Sequence, residues 1–443
     1  MPSTRLQPEA SSLKRELGRW DLTAIGVNQV IGAAVFALPA ALAARAGAWS
    51  PWMVGAVGVA SMLIALSFAE VASRFDGTGG PYLYTRAAFG RFAAFEVGWM
   101  MWFTRAASWA SVINVLVSSL GFYWPVLTSG SPRTMLITAI IAILAAINIR
   151  GIRQSSVVVN VLTVGKLVPL AVFVVAGMFS VDWARLRPSE TPALGELSAS
   201  GLLLIFAFGG YEIVPVPGGE ARNPRRDVPF ALITTIVVVT LVMTLAQIVA
   251  VGTLPDLATS KTPLADAAAL FLGAGGAALI TLGAVFSTSG NNMGQALSGS
   301  RNLYALAEQG DLPPFFGRVH HTFRTPMNAI LVTAGVALAL ALSGTFQTMA
   351  AASAISRLVV YVATCASMLR LRRPRFADVV KPPVFIVPFG PVVPIAAIAI
   401  AMTILAGATP VQLRNGAAAL VVGAILYAIA VLPRGTLKNP VEL

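Results

Sequence analysis

The chain carries little charge for its size: 443 residues hold 31 Lys and Arg and 18 Asp and Glu, 11% charged in all. Soluble domains run near about a quarter charged. A water-soluble fold of this length is therefore excluded for want of polar surface. The single cysteine, Cys365, excludes an intrachain disulfide and reads as a small buried hydrophobe inside an apolar run. The two histidines, His320 and His321, are neighbours in a polar loop without a cysteine or carboxylate cluster, so no metal site is expected. No HExxH, GxSxG or Cys/His pair occurs, and no P-loop. A membrane enzyme and an ATP-driven pump are thereby disfavoured, and no catalytic residue or cofactor is expected. The first residues carry Lys14, Arg15, Glu16 and Arg19 and lack an apolar core. They do not read as a cleavable leader, and the first apolar run is expected to act as an uncleaved signal anchor.

What is present is apolar sequence, with hydrophobic residues at 56%. Twelve runs are long enough to cross a bilayer, at roughly 22–44, 51–73, 92–122, 133–149, 155–179, 200–217, 228–253, 273–305, 326–344, 349–371, 388–408 and 414–432. The formal charge of +13 could suggest nucleic acid, but the basic residues fall on alternate connections, as positive-inside loops do. One side takes the N-terminus, Arg74, Arg86, Arg91, Arg150, Arg153, Arg222, Arg225, Arg226, Arg318, Arg324 and the cluster from Arg370 to Lys381. That side is expected to be cytoplasmic, with both termini on it. The chain is thus expected to be an all-α polytopic protein of the cell membrane, with lipid around it and no nucleic-acid partner.

Two runs are interrupted. The first contains IGAAVFALP at 31–39 and the sixth FAFGGYEIVPVPGG at 206–219. Unwound backbone in lipid is tolerated only where protein buries it or a cavity hydrates it. Pro39, Pro215 and Pro217 add breakers that close helix packing does not need. The second and seventh runs are each followed by a short segment, at 79–90 and 255–269, that leads into a long run. The pattern predicts an inverted five-plus-five repeat with a site between broken helices 1 and 6. The expected division is a tail at 1–20, repeats at 21–199 and 200–375, and two extra C-terminal helices with a tail at 376–443.

At these residues the chain resembles the amino acid–polyamine–organocation superfamily of permeases, well over 18–375 and loosely beyond. IGAAVF is similar to that family's Gly-rich break. Gly79-Gly80-Pro81-Tyr82-Leu83-Tyr84, with Arg86 and Phe89-Gly90, is similar to its first cytoplasmic loop. Phe208-Gly209-Gly210-Tyr211-Glu212, with Glu220, Asn223-Pro224, Arg226 and Pro229, resembles its sixth span and exit loop. Ser300-Arg301, Leu303-Tyr304-Ala305, Gly310 and Leu312-Pro313 resemble the end of its eighth. The sequence departs from the family at Ala34, where glycine is usual, and in the extra breakers of Pro215-Val216-Pro217-Gly218-Gly219.

A broken helix complements an amino acid. N–H groups opening one half-helix bind a carboxylate, and C=O groups closing another bind an ammonium. Gly32, Ala33 and Ala34 are the carboxylate candidates, and Val30, Ile31, Phe206 and Ala207 offer carbonyls to the ammonium. The resemblance places the substrate backbone at the same residues. Phe206, Phe208, Gly209 and Tyr211 complete the expected substrate site, with Phe208 able to gate the outer path.

Lys166 lies near the middle of the fifth run, where a charge costs about 2.5–3.5 kcal/mol. It must face protein, on carbonyl oxygens. The resemblance implies that it fills the place of sodium in sodium-coupled relatives. Lys166 is then either a proton carrier or a permanent tie, and Glu212 at the sixth-run break is the likeliest acid to share in coupling. Arg105, Arg357, Glu70 and Glu96 are further membrane charges for which partners are expected.

The reading is a sodium-independent secondary transporter of an amino acid, with a proton as the possible coupled ion. Exchange of substrates, a polyamine or organic-cation permease, a channel, and a non-transporting receptor are the alternatives. An apolar pocket favours neutral substrates, the two arginines leave an acidic one open, and Glu212 leaves a cationic one open.

Overall fold

Burial in this chain runs opposite to the pattern of a soluble protein. The helix Ile152–Met178 exposes Val157, Val161, Val164, Val168 and Val175, and buries Ser155, Thr163 and Lys166 on its other face. An apolar stripe turned outward and polar groups turned inward suit lipid as solvent. The computed structural model describes residues 13–32, 34–120, 124–188, 191–343, 346–406 and 410–431. Six helical segments there are long and apolar enough to cross a bilayer, among them Gly130–Arg150, Ile152–Met178 and Pro224–Thr253.

The described residues are helical with no named strand; one isolated bridge joins Leu17 to Ala221. The first apolar run is α1 (Arg19–Val30) and α2 (Ala34–Ala46). There follow α3 (Ser50–Ala72), α4 (Pro81–Phe89), α5 (Arg91–Leu120), α6 (Gly130–Arg150), α7 (Ile152–Met178) and α8 (Leu194–Phe208). The remainder is α9 (Pro224–Thr253), α10 (Pro263–Glu308), the short α11 (Pro314–Gly317), α12 (Met327–Ser343), α13 (Phe346–Leu371), α14 (Val392–Ala406) and α15 (Pro410–Val431).

Proline opens several of these helices at the position where its missing N–H costs nothing, as at Pro81, Pro224 and Pro263. Small residues then let helices close on one another. A Cβ at Gly58 of α3 would stand 2.4 Å from Thr240 of α9.

Two expected features are corrected. Pro39 does not break the first run: it lies inside α2, and the break is at Ile31–Gly32, after which the next described residue, Ala34, opens α2. The sixth run was expected to be one broken helix over 200–217. Instead α8 ends at Phe208, and only short 3₁₀ turns at Tyr211–Ile213 and Gly218–Glu220 intervene before α9. Gly209-Gly210 and the prolines at 215 and 217 together prevent an α-helix from restarting.

The long α10 resolves the segment after the seventh run. It begins as Pro263–Leu272, turns at Gly273 with φ 65°, and continues to Glu308. The same device stands earlier in the chain, where α4 begins at Pro81 and Gly90, with φ 87°, turns it into α5. Only glycine enters that region without strain.

The basic connections gather at one end of the bundle. Arg225 donates to the Ser73 carbonyl at 2.8 Å, Asp311 accepts from Arg86 at 2.8 Å and Arg91 at 2.5 Å, and Thr325 bonds the Ile149 carbonyl. Glu70 takes Arg372 through both carboxylate oxygens at 2.7 and 2.5 Å. In that network Tyr82, outside the long helices, donates to Asp311 at 2.6 Å, and burial pushes its hydroxyl well above the usual tyrosine range.

Candidate functional site

The end of α1 is the centre of the site. Ile31 makes the last helical bond, to Val27, at 2.9 Å, and the Gly32 N–H turns back to the Val30 carbonyl at 2.8 Å. The Ile31 carbonyl is left pointing out of the helix. Lys166, fully buried on α7, reaches it at 2.6 Å and also donates to the Asn28 carbonyl at 3.0 Å and Asn28 Oδ1 at 3.1 Å. Its fourth contact is the Ser287 carbonyl of α10 at 3.5 Å. Ser287 Oγ donates to the Ile31 and Gly32 carbonyls at 2.8 and 3.1 Å. The ammonium therefore rests on oxygens alone, as a bound cation would, and joins α1, α7 and α10.

A second link holds α1 to α10. Gln29 Nε2 donates to the Asn291 carbonyl at 3.0 Å and Asn291 Nδ2 returns a bond to the Gln29 carbonyl at 3.1 Å. Gly290 and Gly294 permit the approach: a Cβ there would meet Asn28 at 2.4 Å and Gln29 at 2.0 Å. Sequence reasoning passed over Asn28, Gln29, Ser287 and Asn291. For Ser287 and Asn291 the signal was the polar run Ser287–Asn302, set in an otherwise apolar helix and almost wholly buried.

The break after α8 lies against the same place. Gly210, with φ 132°, leaves no room for a Cβ beside the Gln29 backbone, 2.8 Å away. Glu212 is buried and fully occupied. Its Oε1 meets Arg105 at 2.9 Å and Arg357 at 3.0 Å, and its Oε2 accepts from the Tyr361 hydroxyl at 3.0 Å and the Gly210 N–H at 2.7 Å. The partners expected for Arg105 and Arg357 are thus one shared carboxylate. Gly209 also makes room for Arg357, whose Nη1 would stand 2.0 Å from a Cβ there.

Tyr211 stacks on Tyr361 with ring centres 5.5 Å apart, and Phe208 is buried. Ala207 is buried near the end of α8; Phe206 is helical, but its side chain, like all of Ala33, lies outside the described residues. Ala34 opens α2. Glu96 departs from expectation. It lies against Gly423 of α15, and neither of its carboxylate oxygens has a partner among the described residues, because no basic group reaches that contact.

Beyond the break, Glu220 and Arg301 form a fully buried two-pronged pair at 2.9 and 3.0 Å, and Asn148 accepts from Arg301 at 2.5 Å. The N-terminal segment closes over it. The Leu17 N–H donates to the Glu220 carbonyl and the Leu17 carbonyl accepts from the Arg222 N–H, both at 2.9 Å.

Apolar helices, two interrupted segments that meet, and a buried cation seated on freed carbonyls define a multi-pass membrane transporter rather than an enzyme. The sequence model of a family described as "Amino acid permease" matches residues 17–431, and the chain belongs to that family. It is 31% identical over 81% of its length to an uncharacterized transporter of Mycobacterium tuberculosis, also covering 81% of that protein. A methylthioribose transporter of Bacillus subtilis is 26% identical over 95% of this chain and 94% of its own. A serine/threonine exchanger of the same organism is 27% identical over 89% and 91%. The resemblance to the amino acid–polyamine–organocation permeases stands on these matches.

Proposed function

We propose that the protein is a secondary active transporter of amino acids that works by alternating access in the cell membrane, independent of sodium and coupled to protons. The observation that carries this reading is Lys166 on the oxygens of Asn28, Ile31 and Ser287. A fixed ammonium on those oxygens excludes a second cation, and an amine that loses and regains a proton couples the site to pH. Glu212, with four donors on two oxygens, has no lone pair open and serves to hold the break.

The substrate carboxylate meets N–H groups that open α2, and its ammonium meets carbonyls that close α8, whose last four have no partner within the helix. Ile31 is less suited to that second role, because Lys166 and Ser287 already occupy its oxygen. The chain spans the bilayer twelve times with both termini cytoplasmic, and residues 21–199 and 200–375 are inverted repeats. The matching Pro81–Gly90 and Pro263–Gly273 devices support the repeat. The basic loops gathered at one end support the topology. A strict exchange of substrates is the second reading, favoured by the relative that is a serine/threonine exchanger.

Purified protein in liposomes is expected to take up a radiolabelled amino acid with saturation, and to show counterflow when loaded with the same unlabelled compound. Gly32→Val is expected to insert and melt normally but bind at least about tenfold more weakly, because a side chain there presses on Asn291, 3.3 Å from a Cβ, and crowds the opening of α2. Non-saturating conductance would instead mark a channel, and unaltered affinity in Gly32→Val would remove α2 from the binding site.

A further inference from the structure

Resting on the permease reading, the geometry points to a substrate with a second carboxylate, an acidic amino acid, whose side chain is taken by Arg105. Two guanidiniums, Arg105 and Arg357, meet at one carboxylate oxygen of Glu212. The other buried acid near this end of the break, Glu220, is committed to Arg301 through both its oxygens. A guanidinium buried among apolar helices favours an anion at any N–H it has left open.

Arg105 also has an open hand. It is 2% exposed, its Nη2 is on Glu212, and its Nη1 is buried with no hydrogen-bond partner among the described residues. A buried guanidinium N–H left unpaired costs about 1–3 kcal/mol or more. A planar guanidinium that already holds one carboxylate with one prong is shaped to hold another with its second.

The location suits a substrate. Glu212 is tied to the Gly210 N–H, and Gly210 packs on the backbone of Gln29 and Val30 where α1 stops. The cluster and the α1 break are therefore adjoining walls. A single acidic amino acid can place its α-carboxylate at the opening of α2 and its side-chain carboxylate at Arg105. An amide of the same length offers Nη1 only a neutral carbonyl, a weaker acceptor than a carboxylate, and an aliphatic side chain leaves it unpaired.

The test is thermal unfolding of the purified protein in detergent, titrated with L-glutamate, L-glutamine, L-aspartate, L-asparagine, L-serine and L-leucine. Ligand affinity is read from the rise in melting temperature. Glutamate or aspartate is expected to bind about tenfold or more tightly than its amide. The preference should disappear in Arg105→Gln and survive in part in Arg105→Lys, which keeps the charge without the fork. Equal or tighter binding of the amides, or of serine or leucine alone, overturns the inference and leaves the permease reading standing. Stabilisation by no amino acid removes both. Should Arg105→Gln fail to fold, the acid-to-amide ratio in the unaltered protein decides the matter by itself.

Discussion

In Lys166→Ala, uptake driven by a pH gradient is expected to disappear while exchange of substrate for substrate persists. The ammonium touches three oxygens of α1 and one of α10. On the proton-coupled reading its removal takes away the group that changes protonation in each cycle, but the Ile31 carbonyl keeps Ser287, and the Gln29–Asn291 pair still ties α1 to α10. The helices therefore stay associated and the substrate groups remain in place. The freed oxygens cost about 1–3 kcal/mol, so a lower melting temperature is expected too. The measurement is uptake and counterflow in liposomes, beside a melt of the same preparation. Loss of both transport modes in a folded variant would mean that the ammonium is a permanent tie that the transporting conformations require.

The second large effect is expected at Glu220 and Arg301. Each is fully buried and each holds the other with two bonds. Deleting one partner leaves a charge with no water and no counter-ion, at a cost of about 3–5 kcal/mol. Glu220→Ala and Arg301→Ala should each express poorly or melt far below the unaltered protein. Glu220→Gln combined with Arg301→Met should recover much of the loss, because neither charge then remains. A double-mutant cycle reads the coupling directly. A coupling under about 1 kcal/mol, the value for solvent-exposed pairs, would show that water reaches this pair.

Helices were the most legible part of the sequence. Lipid forces every spanning segment to satisfy its own backbone, so an apolar run and a helix are nearly the same object. The runs at 326–344 and 349–371 correspond to Met327–Ser343 and Phe346–Leu371. The breaks were legible as places but not as shapes. Pro39 signalled an interruption, yet it lies inside α2, as prolines in membrane helices can, and Gln247 of α9 donates to its carbonyl at 3.3 Å. Lys166 was legible because a lone charge in an apolar run must find oxygens.

The identity of partners was hidden. Asn28 meets Lys166 across 138 residues and Arg301 meets Glu220 across 81. Such pairings depend on helix crossing and rotation, which composition does not encode. Glu96 shows the same gap from the other side, since cost alone suggested a partner and the packing of α15 provides none among the described residues.

The central claim is that Lys166 stands where a coupling cation would bind and links transport to protons. Uptake of a labelled amino acid into liposomes, with sodium and proton gradients imposed one at a time, tests it most directly. Accumulation is expected with an inward proton gradient, with no response to sodium in either direction. Accumulation that requires a sodium gradient and ignores pH would contradict it.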